Sequence, residues 1–115
     1  MLISQPDNIF ISSANVDMRK SIDGLSSIVE QCFELSQFDD AMFVFHNRHC
    51  DKIKILYWDR DGFCLLYKRI EHGNFRFPQG ISSNKYSVKK DELSWLLHGL
   101  KIEEIYKYNS LENAR

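Results

Sequence analysis

The middle of the chain alternates apolar and polar residues with the two-residue period of a β-strand, and this constrains the fold more than any other feature. Three such segments, residues 41–47, 52–59 and 63–71, are separated by the polar turns RHCD and DRDG. Turns this short join neighbouring antiparallel strands. The pattern therefore predicts an antiparallel meander, to which residues 73–78 would add a short fourth strand that ends at a proline.

Two other segments follow the 3.6-residue period of a helix. From residue 18 onward apolar side chains recur at three- and four-residue steps, which predicts a helix running to about residue 35 with Asp17 as its N-cap. Residues 87–100 predict a second helix, with a seam of leucines and Ser87 as a possible N-cap.

An apolar segment at residues 8–13 predicts one more strand ahead of the first helix. These elements predict an α+β fold, an antiparallel β-meander of about four to five strands packed with two helices. At 115 residues the chain is long enough for one domain with a real core. We expect that domain over residues 1–100, with residues 101–115 as a C-terminal extension that is either helical or frayed.

The turn lengths also predict which residues lie opposite each other in the meander. Phe45 should face Lys54, Lys54 should face Tyr67, and Trp58 should face Phe63. One face is then chiefly aliphatic and suited to receive the helices. The other mixes aromatic rings with cations, either as a second core covered by a helix or a subunit, or as a surface that stacks bases and contacts phosphates. Its predicted members are Phe43, Phe45, Trp58, Phe63, Tyr67, Lys52, Lys54 and Arg69.

The order of charges after Asp17 is unusual for a helix start. Arg19 and Lys20 would lie in the first turn, where the helix dipole is positive and favours acidic residues. Two interpretations fit. Either both side chains point outward and pair with Asp17 or Asp23, or the helix N-terminus and the two cations form a site for a phosphate or a partner's carboxylate.

The net charge of −1 and a pI near 6.4 argue against a general nucleic-acid binder. The charge is uneven, however, because residues 46–76 are basic whereas residues 1–45 are acidic. This suggests one face directed at an anionic partner. No stretch has the length and apolar character of a membrane span, so we expect a cytoplasmic protein without membrane contact.

Residues suited to metal binding or catalysis are few. His46, His49 and Cys50 are close in sequence, but no second pair with zinc-ligand spacing accompanies them. Asp59 and Asp61 read as turn residues, and Glu71 is the one further carboxylate near them. Because the chain also lacks a glycine-rich phosphate loop and a nucleophile motif, we expect a protein that is not an enzyme and has no metal or cofactor.

The three cysteines, Cys32, Cys50 and Cys64, show no close paired spacing and predict no disulfide framework. We interpret them as two small buried apolar residues and one thiol in a loop.

Four stretches carry a resemblance to a known family. They are DMRKSIDGLSSIV, FVFHNR, DKIKILYWDRDGFCLLYKRIEHGNFRFP and DELSWLLHGL, in order between residues 17 and 100. Together they resemble the small TnpB-type accessory protein, the second reading frame, of the insertion-sequence-sixty-six family of bacterial transposable elements. The resemblance implies a protein that assists transposition beside a separate transposase, which is expected to carry the nuclease chemistry. Relatives often have more basic residues in place of His49 and Cys50, and a serine or threonine in place of Lys89.

Charge pattern and resemblance together predict a non-enzymatic accessory that contacts DNA or the transposase complex. The alternative is a protein-interaction module that docks on the transposase, or associates with a second copy of itself, without touching DNA. The residues predicted to make the contact are Arg19, Lys20, Asn47, Arg48, Lys54, Trp58, Lys68 and Arg69.

Overall fold

A mixed β-sheet with helices packed on its faces forms the protein. The structure is a computed structural model and describes residues 8–32, 41–78 and 80–97. The strands are β1 (Asn8–Ser12), β2 (Ala41–His46), β3 (Lys52–Asp59), β4 (Gly62–Arg69) and β5 (Lys85–Val88). The helices are α1 (Ile22–Cys32) and α2 (Lys90–Leu97). The five strands form one sheet in the order β4-β3-β2-β1-β5.

The predicted α+β class and the β2-β3-β4 meander are confirmed, but the prediction of a purely antiparallel sheet is wrong. β1 pairs with β2 in parallel, for example Phe10 opposite Phe43. The connection permits this pairing, because a parallel neighbour requires a crossover and the chain between β1 and β2 contains α1. The sheet continues on the other side of β1 with the antiparallel β5.

The predicted fourth strand at residues 73–78 is wrong, because residues 74–78 form no strand. They cross the sheet face instead, where Phe75 and Phe77 are both buried. The backbone N–H of Phe75 donates to the carbonyl of Cys50 at 2.6 Å, and the ring of Phe77 stacks on His46 at 4.6 Å between centroids. The alternation that resembles a strand here reflects two aromatic residues filling the core.

The sheet has a strand that the sequence did not predict, β5, later in the chain. The sequence pattern assigns Ser87 and Val88 to the start of the second helix, with Ser87 as a possible cap. In the structure Ser87 lies opposite Phe10 and pairs β5 with β1. A four-residue edge strand carries little periodic signal, so the sequence pattern did not separate it from the adjacent helix.

The predicted register of the meander is confirmed. Phe45 lies opposite Lys54, Lys54 opposite Tyr67, and Trp58 opposite Phe63. Side chains alternate between two cores, one on each face. The α2 face buries mostly aliphatic residues, including Ile9, Ile11, Met42, Val44, Ile53, Ile55, Leu93 and Leu96. The α1 face buries Leu25, Val29, Ala41, Phe43, Phe45 and Leu56.

Helix α1 begins later than the sequence predicted. Asp17 is not its N-cap, because the first helical bond runs from the N–H of Leu25 to the carbonyl of Ser21 at 2.9 Å. Asp23 then lies in the first turn, as the helix dipole favours, and the two cations precede the helix. The predicted end of this helix near residue 35 lies outside the described residues.

Helix α2 begins at Lys90 with Lys89 in the cap position, although lysine has no side-chain acceptor for the free N–H groups. The N–H of Leu93 donates to the carbonyl of Lys89 at 3.0 Å, and the N–H of Lys89 donates to Glu92 Oε1 at 2.9 Å. This second bond is the glutamate half of a capping box. It holds the helix start in place of a serine or threonine cap. The predicted extension at residues 101–115 lies outside the described residues.

Candidate functional site

The side chain of Asn47 organises the turn between β2 and β3. Its Oδ1 accepts from the N–H groups of Asp51 and Lys52 at 3.1 and 3.0 Å, and its Nδ2 donates to Asp51 Oδ1 at 2.6 Å. Cys50 adopts a left-handed conformation with φ of 53° to close the turn. Arg48 is exposed in this turn. Asn47 therefore shapes the loop that presents Arg48.

The turn before α1 is built around Asp17. Its Oδ1 accepts from the backbone N–H of Arg19 at 2.9 Å, and its Oδ2 lies 2.6 Å from Arg19 Nη2. The hydrogen bonds from Arg19 lower the pKa of Asp17 from 3.8 to about 2. The guanidinium side chain itself is 92% exposed. Of the two interpretations of this motif, the structure gives Arg19 the pairing with Asp17, and it leaves the cation facing solvent.

Lys54 joins this turn to the sheet. Its Nζ donates to the carbonyl oxygen of Lys20 at 2.8 Å. The same Nζ lies 5.8 Å from the centroid of the Tyr67 ring, which faces Lys54 from β4. The ammonium group of Lys54, on β3, therefore contacts both the loop before α1 and strand β4.

The remaining predicted cations lie on β4. Arg69 pairs with Glu71, with 2.9 Å between Nη2 and Oε1, and this carboxylate raises the pKa of the guanidinium. Lys68 points to the opposite face, where its Nζ donates to the carbonyl of Leu97 at 2.9 Å. The predicted contact residues therefore occupy both faces of this edge strand.

The aromatic face is largely a second core. Phe43 and Phe45 have no exposed surface beneath α1, so the interpretation as an open binding face is wrong for these two rings. Trp58 is half-buried at the far end of β3, where its Nε1 donates to the carbonyl of Arg60 at 3.1 Å. Tyr67 differs from the others, because it is 53% exposed and lies among the cations.

The strand directions place most of the cations at one end of the sheet, which we call the basic end. It is the end where β1, β2 and β4 finish and β3 and β5 begin. The N–H of Val16 donates to the carbonyl of His46 at 2.9 Å, so the loop before α1 also lies there. The cations of the basic end are Arg19, Lys20, Arg48, Lys52, Lys54, Lys68, Arg69 and Lys85.

Carboxylates balance only part of this charge. Exposed or half-exposed ion pairs join Arg19 to Asp17, Arg69 to Glu71 and Lys52 to Asp51, and such pairs hold their partners weakly. Among the described residues, no carboxylate lies within 4.0 Å of the remaining cations of the basic end. These cations are Lys20, Arg48, Lys54, Lys68 and Lys85. The opposite end of the meander carries Asp59 and Asp61 around Arg60.

Sequence reasoning placed Lys52 and Tyr67 on the correct face but did not select them as contact residues. Their signal was the predicted register, which sets Tyr67 beside Lys54. Lys85 was missed altogether, because its position at the basic end depends on β5 pairing with β1.

The three residues considered for metal binding, His46, His49 and Cys50, differ in their surroundings. His46 is buried, its Nε2 lies 3.0 Å from the carbonyl oxygen of Ser12, and its Nδ1 lies 3.8 Å from Cys50 Sγ. His49 is exposed in the turn. In residues 8–32, 41–78 and 80–97, no three His, Cys, Asp or Glu side chains converge as metal ligands would.

The carboxylates considered for catalysis are far apart. Asp59 ends β3, and Asp61 lies in the turn between β3 and β4. Glu71 lies beyond the other end of the eight-residue strand β4. An eight-residue strand spans roughly 25 Å, so these carboxylates do not share a site.

Cys50 and Cys64 are free, half-buried thiols that pack against the α2-face core. Burial raises the pKa of Cys50. The side chain of Cys32 lies outside the described residues. No helix in the described part of the chain is long and apolar enough to cross a membrane.

Comparison with known families bears directly on the predicted resemblance. Residues 7–107 match the family model described as "IS66 Orf2 like protein", which covers both helices and every strand of the sheet. The chain belongs to this family. Its match extends beyond the stretches quoted above into the C-terminal tail.

Two relatives come from Sinorhizobium fredii (strain NBRC 101917 / NGR234). The chain is 30% identical to the uncharacterized protein y4jC over 92 residues, which cover 80% of this chain and 78% of that one. It is 29% identical to the uncharacterized protein y4hO over 92 residues, or 80% and 79% of the two chains. No solved structure gives a significant match.

Membership gives the chain an accessory role associated with transposition of insertion sequences. It implies association with the transposition machinery, and the family is not one of known enzymes.

Proposed function

We propose that the protein assists transposition of its element by contacting the phosphate backbone of DNA through the basic end of its sheet. The transposase of the same element, with which it would act, is expected to supply the nuclease chemistry. The observation that carries this proposal is the collection of cations from five separate parts of the chain at one end of the sheet. They come from the loop before α1, the β2–β3 turn and strands β3, β4 and β5.

The cations have distinct places in the proposed contact. Arg48 lies exposed in the turn held by Asn47, and it would reach farthest along the strand direction. Arg19 and Arg69 keep their charge exposed despite pairing with carboxylates, and DNA phosphates compete readily with such surface pairs. Asn47 acts through the shape of the turn.

The remaining predicted contacts differ in position. Lys20 and Lys54 support the surface from the α1 face, and Lys68 would extend it around the β4 edge. Trp58 lies at the opposite end of β3 from the basic end, and its indole N–H already donates to the carbonyl of Arg60. Its proposed role is therefore to dock a partner protein.

Phosphate contact has a measurable physical signature. Each neutralised phosphate releases condensed counterions, so affinity falls steeply as salt rises. Contacts of this type carry little sequence information by themselves. The accessory would therefore add affinity and position to a complex whose sequence specificity comes from elsewhere.

Two arginine variants test the proposal with matched chemistry. Arg48→Gln and Arg60→Gln each remove one exposed cation from a turn between two strands of the meander, at opposite ends of the sheet. Binding of a labelled duplex from the element end is measured by fluorescence anisotropy across a salt series. Arg48→Gln should weaken binding and lower the salt slope by about one, whereas Arg60→Gln should leave both unchanged. Equal effects of the two variants would refute an oriented contact.

The alternative is docking on the transposase or on a second copy of this chain without DNA contact. The chain's net charge of −1 favours it, because the protein as a whole gains no long-range attraction to DNA. A pull-down with the transposase in nuclease-treated extract separates the two functions. Retention of the accessory in that extract, together with no DNA binding by the purified protein at low salt, would establish docking instead.

A further inference from the structure

Tyr67 is the exposed aromatic ring of the basic end. On β4 it shares the α1 face with Phe63 and Leu65, and these two are half-buried against the core beneath α1. Tyr67 comes later on the strand and is 53% exposed. The helix therefore covers the beginning of this face of β4 and leaves the ring near its end open to solvent.

Two cations, Lys54 and Arg69, lie on the same face as this ring. Lys54 lies directly opposite on β3, with its Nζ 5.8 Å from the ring centroid. That Nζ is fixed by its 2.8 Å bond to the carbonyl of Lys20, so the ammonium stays beside the ring. Arg69 lies on the same face two residues farther along β4, which puts its Cα about 7 Å from that of Tyr67. Its own cross-strand partner is Lys52.

An exposed ring beside a lysine and an arginine has a defined ligand chemistry. A nucleobase offers a flat π-face that stacks on a tyrosine, and its flanking phosphates attract lysine and arginine. In a duplex both faces of each base are already stacked on neighbours, so a ring on the protein gains nothing there. The arrangement is therefore suited to unpaired nucleotides.

We infer that Tyr67 stacks an unpaired base of single-stranded DNA while Lys54 and Arg69 contact the adjacent phosphates. This inference rests on the proposed DNA contact and adds a site for an unpaired base to the phosphate contacts that duplex and single strand share. Each stacked base contributes enough affinity to be measured against the phosphate contacts alone.

Three DNA ligands of equal length separate stacking from charge. They are a fluorescein-labelled oligo-dT, an abasic oligonucleotide with the same phosphates, and a duplex, each titrated with the full chain at low salt. Oligo-dT should bind roughly fivefold or more tightly than the abasic strand, the lower range for one stacked base. Tyr67→Ala should reduce oligo-dT affinity to the abasic level and leave abasic binding unchanged. Tyr67→Phe should keep the preference, because the ring face remains.

The outcomes also separate this inference from the proposed function. Equal affinity of the wild-type protein for oligo-dT and the abasic strand would overturn the stacking site while leaving phosphate contact intact. Absence of binding to all three ligands would overturn both. The oligo-dT and abasic comparison uses the unaltered chain, so a folding defect in a variant does not affect it.

Discussion

The ammonium group of Lys54 donates to the carbonyl oxygen of Lys20 at 2.8 Å, and this bond ties strand β3 to the loop that precedes α1. The loop thereby keeps its two cations beside those of the sheet. Lys54 thus has a structural role and also belongs to the candidate surface.

Replacing this lysine should reduce stability modestly. Lys54→Met keeps the aliphatic stem but removes the bond to Lys20, and an exposed hydrogen bond of this kind contributes about 1 kcal/mol. Urea unfolding followed by circular dichroism measures the loss. Lys52→Met is the matched control, because that ammonium makes only a 3.5 Å surface ion pair with Asp51. Equal losses in the two variants would contradict the bridging part of Lys54.

The Asp17 carboxylate should titrate at unusually low pH. Because its pKa in the folded protein is about 2 rather than 3.8, the unfolded chain binds this proton more readily. The turn's contribution to stability is then complete above about pH 4 and is lost as pH falls toward 2. NMR titration of the carboxyl carbon gives the pKa directly. In Arg19→Gln it should rise toward 3.8, and an unchanged value would show that Arg19 is not the cause.

Phe45 should behave as a core residue rather than as a contact residue. It has no exposed surface, so Phe45→Ala should lower the free energy of unfolding by about 3–5 kcal/mol. Tyr67→Ala, on the same face but 53% exposed, should cost much less. Urea unfolding of both variants measures the contrast. Similar losses would mean that α1 does not cover the sheet as described.

The turn between β3 and β4 offers a stabilising change. Arg60 has φ of 56°, a left-handed conformation that residues with a Cβ atom adopt at a cost of about 1–2 kcal/mol. Part of the relief in Arg60→Gly is offset by the larger entropy of glycine in the unfolded chain. A net gain of about 0.5 kcal/mol should appear as a higher unfolding midpoint in urea. A lower midpoint would argue against the backbone conformation of this turn.

The sequence predicted the meander well because both of its turns are short. Four residues between Asn47 and Lys52, and two between Asp59 and Gly62, leave little freedom in register. All three predicted cross-strand pairs are therefore present. The parallel placement of β1 beside β2 was not predictable in the same way, because a long connection through a helix does not fix which edge the strand joins.

The candidate site was predictable in composition but not in arrangement. Charge counting identified Arg48 and Arg69, and the predicted register placed Lys54 beside Tyr67. The sequence did not show that Asp17 belongs to a separate turn, because a helix one turn longer has the same apolar period. It also did not separate the buried rings from the exposed one, since burial depends on where α1 crosses the sheet.

The proposed contact between the basic end and DNA phosphates has one most direct test. It is the affinity of the purified wild-type chain for DNA from the element end as salt rises from about 50 to 200 mM. Affinity should fall tenfold or more over this range, as expected when several phosphates are neutralised. An affinity that does not change with salt, or no binding at the lowest salt, would contradict the account.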